Sequence, residues 1–150
     1  MSGADASVKP RDDMGTGFAL DARLAADTVA VADLPLCSVL LMKDARFPWL
    51  ILVPRRAGVS EILDLAAADH AQLWAEITQT AAALRAETQP LKLNIGALGN
   101  IVRQLHVHIV ARFDGDAAWP GPVWGSGTAL SYDAPGLEAL RARLAERLGG

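Results

Sequence analysis

One cysteine, Cys37, stands in a chain of 150 residues. No internal disulfide framework can be built from it, and such sparing use fits a reducing cytoplasm. Cys37 lies among Leu36, Val39 and Leu40 and reads as a buried, inert thiol. No apolar run reaches the roughly 18–20 residues that cross a bilayer, so no membrane helix is expected. The stretch from Met1 to Gly17 carries Lys9, Arg11, Asp12 and Asp13 without an apolar block, so no secretory leader is expected either. Basic charge is not in excess: 14 Lys and Arg against 17 Asp and Glu give a net charge of −3. A nucleic-acid polymer is therefore not an expected partner, because such binding needs a basic face. A small anion held by a few local groups stays open. Histidine is scarce as well, with only His70, His106 and His108.

What is present is apolar material. With 51% hydrophobic and 21% charged residues, the chain has enough to build one core, and its length suits one domain. Residues 1–16 read as a flexible arm. Three apolar runs follow with short connections: Leu24 to Asp33, Cys37 to Lys43 and Trp49 to Val53. They predict an antiparallel meander. Ser60 is placed to cap a helical stretch. The main helix is predicted over Ala67–Thr88, stopping before Pro90, with Leu73, Ile77, Ala81 and Leu84 as its apolar stripe. Leu91–Ile95 and Leu105–Phe113 supply two more strands. Pro135 to Leu148 predicts a last amphipathic helix, with Leu137, Leu140, Leu144 and Leu148 on one face. The expected class is α+β: a five-stranded antiparallel sheet, a main helix and a C-terminal helix.

The chemistry concentrates in Gln104-Leu105-His106-Val107-His108. From Ile101 to Arg112 the chain alternates, as a strand with two unlike faces does. Leu105, Val107, Ile109 and Ala111 point to a core, while Gln104, His106 and His108 point the other way. Side chains two apart on a strand stand roughly 6–7 Å from each other, from a rise near 3.3 Å per residue. A phosphate can bridge such a gap, and imidazole can act as nucleophile, acid or base near neutral pH. Before the strand comes Asn94-Ile95-Gly96-Ala97-Leu98-Gly99-Asn100. Glycines let backbone N–H groups approach a ligand, and Asn adds amide donors. Two same-face histidines could also begin a zinc site, but no third or fourth ligand is close in sequence, so neither a metal nor another cofactor is expected.

Loop and strand together resemble the histidine triad (HIT) family. That family carries an Asn before a glycine-containing loop, a Gln near the loop's end, and then His-apolar-His-apolar-His with two apolar residues. The resemblance covers residues 17–125, which would form the domain, with residues 126–150 as a tail. The chain departs from the pattern at Gln104, where the first histidine is usual, at Asn100, where Gln is usual, and at Ile101, where several members carry Ser or Thr. A bacterial branch with Gln in the first triad position is implied.

The resemblance implies the following roles. His106 attacks the α-phosphorus of a nucleotide and forms a nucleotidyl-histidine intermediate. His108 holds the phosphate or the leaving oxygen, and Gln104 assists by hydrogen bonding without titrating. Asn94, Gly99 and Asn100 cradle the phosphate. Apart from the resemblance, an attacking imidazole needs an acceptor for its other N–H, and a carbonyl of that loop is expected to fix the tautomer of His106. Asp44 either meets ribose hydroxyls or is an ordinary turn aspartate. The substrate classes are dinucleoside polyphosphates and nucleoside phosphoramidates. The competing class is a nucleotide-binding or regulatory module with little turnover. A cytoplasmic homodimer, pairing through the main helix and its adjoining strand, is also implied. Among the remaining residues, Arg112, Arg46, Arg55 and Arg56 read as solvated. Trp49 and Trp74 read as core or dimer contacts. Trp119 and Trp124 either close a pocket or pack the tail, and His70 reads as structural.

Overall fold

The computed structural model describes residues 17–149, so the expected N-terminal arm, residues 1–16, lies outside the described residues. A short helix α1 (Ala22–Asp27) opens the chain and runs into β1 (Thr28–Asp33), β2 (Cys37–Met42) and β3 (Trp49–Pro54). One 3-10 turn, Ile62–Asp64, precedes the long helix α2 (Ala67–Thr88). Then follow β4 (Lys92–Gly96), β5 (Val107–Arg112) and α3 (Ala134–Arg147). The five strands form one sheet in the order β1-β2-β3-β5-β4, with every neighbouring pair antiparallel. The expected α+β class is the observed one.

β2, β3 and β5 are buried along almost their whole length, because both faces of the sheet are covered. On one face Leu73, Ile77 and Leu84 of α2 and Leu140, Leu144 and Leu148 at α3 pack with Val39, Leu41, Leu50, Leu52, Val107, Ile109 and Ala111. On the other, Leu40, Trp49, Ile51, Val53 and Val110 meet Phe18, Leu24, Phe47 and Val123. Period-two alternation therefore feeds two apolar clusters rather than one. The histidine face belongs to the second: Ile51 pairs with His108 across β3 and β5, and Gly96 pairs with it across β4 and β5.

Three local expectations shift. The run from Leu24 is not strand at its start. Asp21 accepts the Arg23 backbone N–H at 2.8 Å and so caps α1, and the alanines beyond it favour a helical turn. Ser60 caps nothing: Glu61 occupies the cap position, and only one 3-10 turn forms before Leu65. The last strand begins at Val107, where pairing with Leu52 starts. Leu105 and His106 precede the ladder, and the Leu105 N–H donates instead to the Val59 carbonyl.

α2 carries one buried charge that periodicity does not reveal. Glu76 is almost fully buried and accepts the N–H groups of Leu36 and Cys37, each at 2.8 Å, and the Gln72 amide at 2.7 Å. It ties the helix to the start of β2. Burial, with Glu76 beside it, pushes the Cys37 thiol well above its ordinary pKa.

Candidate active site

His106 and His108 stand beside each other with ring centroids 4.9 Å apart. Both are largely buried, yet both line a cleft of about 450 Å³. Its walls come from four places. α1 brings Leu24, with Arg23 and Asp27 at the rim. β2 and β3 bring Met42, Trp49 and Ile51. The loop before β5 brings Leu98 to Val102, and the segment after β5 brings Trp124 and Gly125. Gly99 has φ near +71°, a backbone state that a side chain would strain.

The hydrogen bonds assign the protons of the two rings. His106 Nδ1 lies 2.7 Å from the Gln104 carbonyl, which can only accept. Nδ1 therefore carries the proton, and the neutral ring keeps its lone pair on Nε2. His108 is the reverse: the Trp49 indole N–H, which can only donate, reaches its Nδ1 at 3.0 Å. Its proton is on Nε2. Burial, and then the neighbouring His106, push the His108 pKa down to about 4. The site thus presents one lone pair and one N–H side by side.

The expected site residues divide. Gly99 and Asn100 line the cleft with the two histidines. Gln104 contributes its carbonyl to His106, but its side chain turns away. Oε1 accepts the Asp21 N–H and Nε2 donates to the Ala19 carbonyl, both at 2.9 Å. The tautomer of His106 is accordingly set by Gln104 and not by the glycine loop. Asn94 is also elsewhere: its Oδ1 accepts from Arg112 at 2.7 Å, because Asn94 sits in β4 opposite Val110, well back from the loop. Arg112 is not solvated but almost fully buried. Asp116 meets its Nε and NH2 group at 2.8 and 2.9 Å, and Phe47 and Trp119 flank the guanidinium.

Asp44 lies on an adjoining cleft of about 530 Å³, which shares Asp27, Met42, Trp49 and Gly125 with the first. Burial opposes the charge of its carboxylate, but hydrogen bonds from Arg46 and from the Leu130 N–H outweigh that and keep its pKa below the usual range. With Arg46 also donating to the Ser126 carbonyl, Asp44 fastens the chain after β5 over the β2–β3 connection. Trp124 does reach the histidines, its ring centroid 5.4 Å from that of His108. His70 bonds the Ile62 carbonyl and has no part in the cleft. Among the described residues no group of three or more His, Cys, Asp or Glu is arranged to hold a metal ion.

Sequence patterning missed Trp49 as a cleft residue. Its only signal was the register: Trp49 and Ile51 share a face of β3, and Ile51 is the cross-strand partner of His108. The contributions of α1 have no signal in a run whose second half alternates as a strand does.

The fold has close counterparts. A histidine triad protein from Bradyrhizobium japonicum superposes with a TM-score of 0.86 at 50% identity, over 87% of this chain and 98% of its own. One from Sinorhizobium meliloti gives 0.85 at 49% identity, over 88% and 98%. One from Marinobacter aquaeolei gives 0.85 at 41% identity, over 88% and 96%. No curated protein matches. Residues 23–115 match the model of the HIT domain, a span that holds both histidines, the glycine loop and the whole sheet. By this match and by these relatives, the chain belongs to the histidine triad family.

Proposed function

We propose that the chain transfers a nucleotidyl group through a covalent histidine, acting on a dinucleoside polyphosphate or a nucleoside phosphoramidate. The observation that carries this is the tautomer of His106: with Nδ1–H held by the Gln104 carbonyl, Nε2 has its lone pair free in a cleft it lines. Nucleophilic catalysis divides one difficult displacement into two easier ones. Nε2 forms a bond to the α-phosphorus while the bond to the leaving group breaks, its electron pair going with the leaving group. Water then attacks the phosphorus, the N–P bond breaks, Nε2 recovers its pair, and a proton passes to solvent. Another acceptor in place of water makes the chain a transferase.

His108 supplies a neutral N–H to a phosphoryl oxygen, where a developing charge is best met by fixed donors. Gly99 and Asn100 supply the cradle. Gln104 in the first triad position marks the bacterial branch to which we assign the chain. Its role is positioning, through its carbonyl and its amide clamp. Asn94 and Asp44 act at one remove, by holding Arg112 and the chain after β5.

A homodimer is supported by the outer edge of β4, which among the described residues bonds only β5, and by exposed Leu91, Ile95 and Trp74 on β4's approach, β4 and α2. No helix among the described residues is long and apolar enough to cross a membrane. The single buried cysteine agrees with a reducing cytoplasm.

The test is intact-protein mass after incubation with an adenosine phosphoramidate and, separately, a diadenosine polyphosphate. A transient gain of one adenylyl group in the parent, absent in His106→Ala, is the expected outcome. Nucleotide binding without adduct or product would instead support a binding module.

A further inference from the structure

His108 is gripped from behind. The indole N–H of Trp49 reaches its Nδ1 at 3.0 Å, and both residues are nearly fully buried. The geometry around this bond is crowded: the Trp49 and Trp124 rings lie 5.7 and 5.4 Å from the His108 ring. Trp49 is itself set by the sheet, paired with Val110 in β5, so the indole is anchored on the strand next to that of His108. An indole cannot rotate to accept a proton, as a hydroxyl could. Nδ1 of His108 is therefore closed to protonation as long as the bond stands.

We propose that Trp49 is the positioning residue that holds His108 as a pure hydrogen-bond donor, and that the site consequently favours leaving groups that depart as anions. This rests on the covalent reading given above. The chemistry follows from proton counting. A histidine acts as a general acid by releasing a proton from the imidazolium, or from one nitrogen while the other takes one up. With Nδ1 blocked, loss of the Nε2 proton would leave an imidazolate, which water at neutral pH does not sustain. His108 can polarise and stabilise, but it cannot hand over its proton.

Neither Arg23, whose guanidinium keeps its proton, nor His106, spent as the nucleophile, replaces it, and Asp27 is exposed at the rim of the cleft. Among the described residues its other titratable side chains are Arg23 and Asp27 from α1 and His106 itself, while β2, β3, the 98–102 loop and the segment at Trp124 contribute none. An amine leaving a phosphoramidate needs a proton on its nitrogen. A nucleoside phosphate leaving a phosphoanhydride needs none: the P–O bond breaks, the oxygen keeps the pair, and the product is already a stable anion. The substrate class this favours is the dinucleoside polyphosphate. The depressed basicity of His108 is in keeping with the same arrangement.

Two measurements test this on the full chain. The first is the nitrogen NMR of uniformly labelled protein, with His108 assigned through His108→Gln. In the parent, His108 should show an unprotonated Nδ1 and a protonated Nε2 from neutral pH down to its titration near pH 4. In Trp49→Phe the fixed tautomer should be lost and the midpoint should move upward. The second is the rate of adduct formation from a diadenosine tetraphosphate against that from an adenosine phosphoramidate. The parent should favour the anhydride by about a hundredfold or more, the scale of missing general acid catalysis, and Trp49→Phe should narrow the ratio.

A parent His108 protonated at Nδ1, or a Trp49→Phe variant with unchanged tautomer and midpoint, overturns the positioning role. Comparable rates with the two donors in the parent overturn the leaving-group preference. No adduct with either donor refutes the covalent reading itself, and the preference with it, while the NMR result still decides what Trp49 does.

Discussion

Placing a histidine at position 104 should harm this protein rather than improve it. Gln104 uses its amide as a two-sided clamp: its oxygen takes the Asp21 N–H and its nitrogen serves the Ala19 carbonyl, both at 2.9 Å. Asp21 caps α1, and α1 carries Leu24 into the second apolar cluster and into the cleft wall. A six-residue helix does not hold itself together in water, so it depends on such contacts. Each hydrogen bond contributes about 0.5–1.5 kcal/mol net, so Gln104→Ala should cost roughly 1–3 kcal/mol. Neutral imidazole has one donor and one acceptor on opposite sides of a rigid ring and cannot reproduce the side-by-side pair, so Gln104→His should lose a similar amount. The loss should be local first. Hydrogen exchange at the Asp21 amide should accelerate by a factor of about 5–150 in either variant. Nucleotide KM should rise as the α1 wall loosens, whereas kcat should change less, because the carbonyl that orients His106 belongs to the backbone. A Gln104→His variant with higher kcat and unaltered Asp21 exchange would refute this reasoning. It would show that position 104 acts on the phosphate.

Three further outcomes follow from buried polar groups. The Arg112 guanidinium and the backbone N–H groups of Phe113 and Ala118 hold the Asp116 pKa down to about 2, against partial burial. A lowered carboxyl pKa stabilises above the unfolded value and is lost as pH falls, so unfolding monitored from pH 5 to pH 2 should show stability dropping between about 4 and about 2. Asp116→Asn should flatten that slope and cost on the order of 3 kcal/mol, since it leaves the buried Arg112 charge unpaired. Glu76→Ala should cost about 2–4 kcal/mol in urea unfolding, because the Leu36 and Cys37 N–H groups lose their acceptor inside the protein. Cys37 should resist iodoacetamide in the native state and react on unfolding, being buried with its thiol pKa raised by desolvation and by Glu76.

Much of the architecture was legible in residue order because it rests on local periodicity. The α2 span, its stop before Pro90 and the apolar character of β2, β3 and β5 follow from helical periodicity and local hydrophobic content, which every short segment expresses for itself. α1 was not legible, because Leu24 to Asp33 contains alanines compatible with either state, and the decision came from the Asp21 cap and the Gln104 clamp, one of them 83 residues away.

The same division runs through the site. Two histidines at i and i+2 are legible as neighbours from sequence alone, since their spacing on an extended chain dictates their proximity. Which nitrogen bears the proton, however, is a property of partners. The Gln104 carbonyl decides it for His106, and Trp49, 59 positions away, decides it for His108. Asn94, Asp44 and the side chain of Gln104 have suitable chemistry for a ligand, yet the fold commits them to Arg112, Arg46 with Leu130, and the approach to α1. Residue order determined which groups could do chemistry and which strands would carry them. Only tertiary packing decided which stayed free to meet a ligand, because a hydrogen-bonding group already satisfied by a distant part of the chain has little left to offer a substrate.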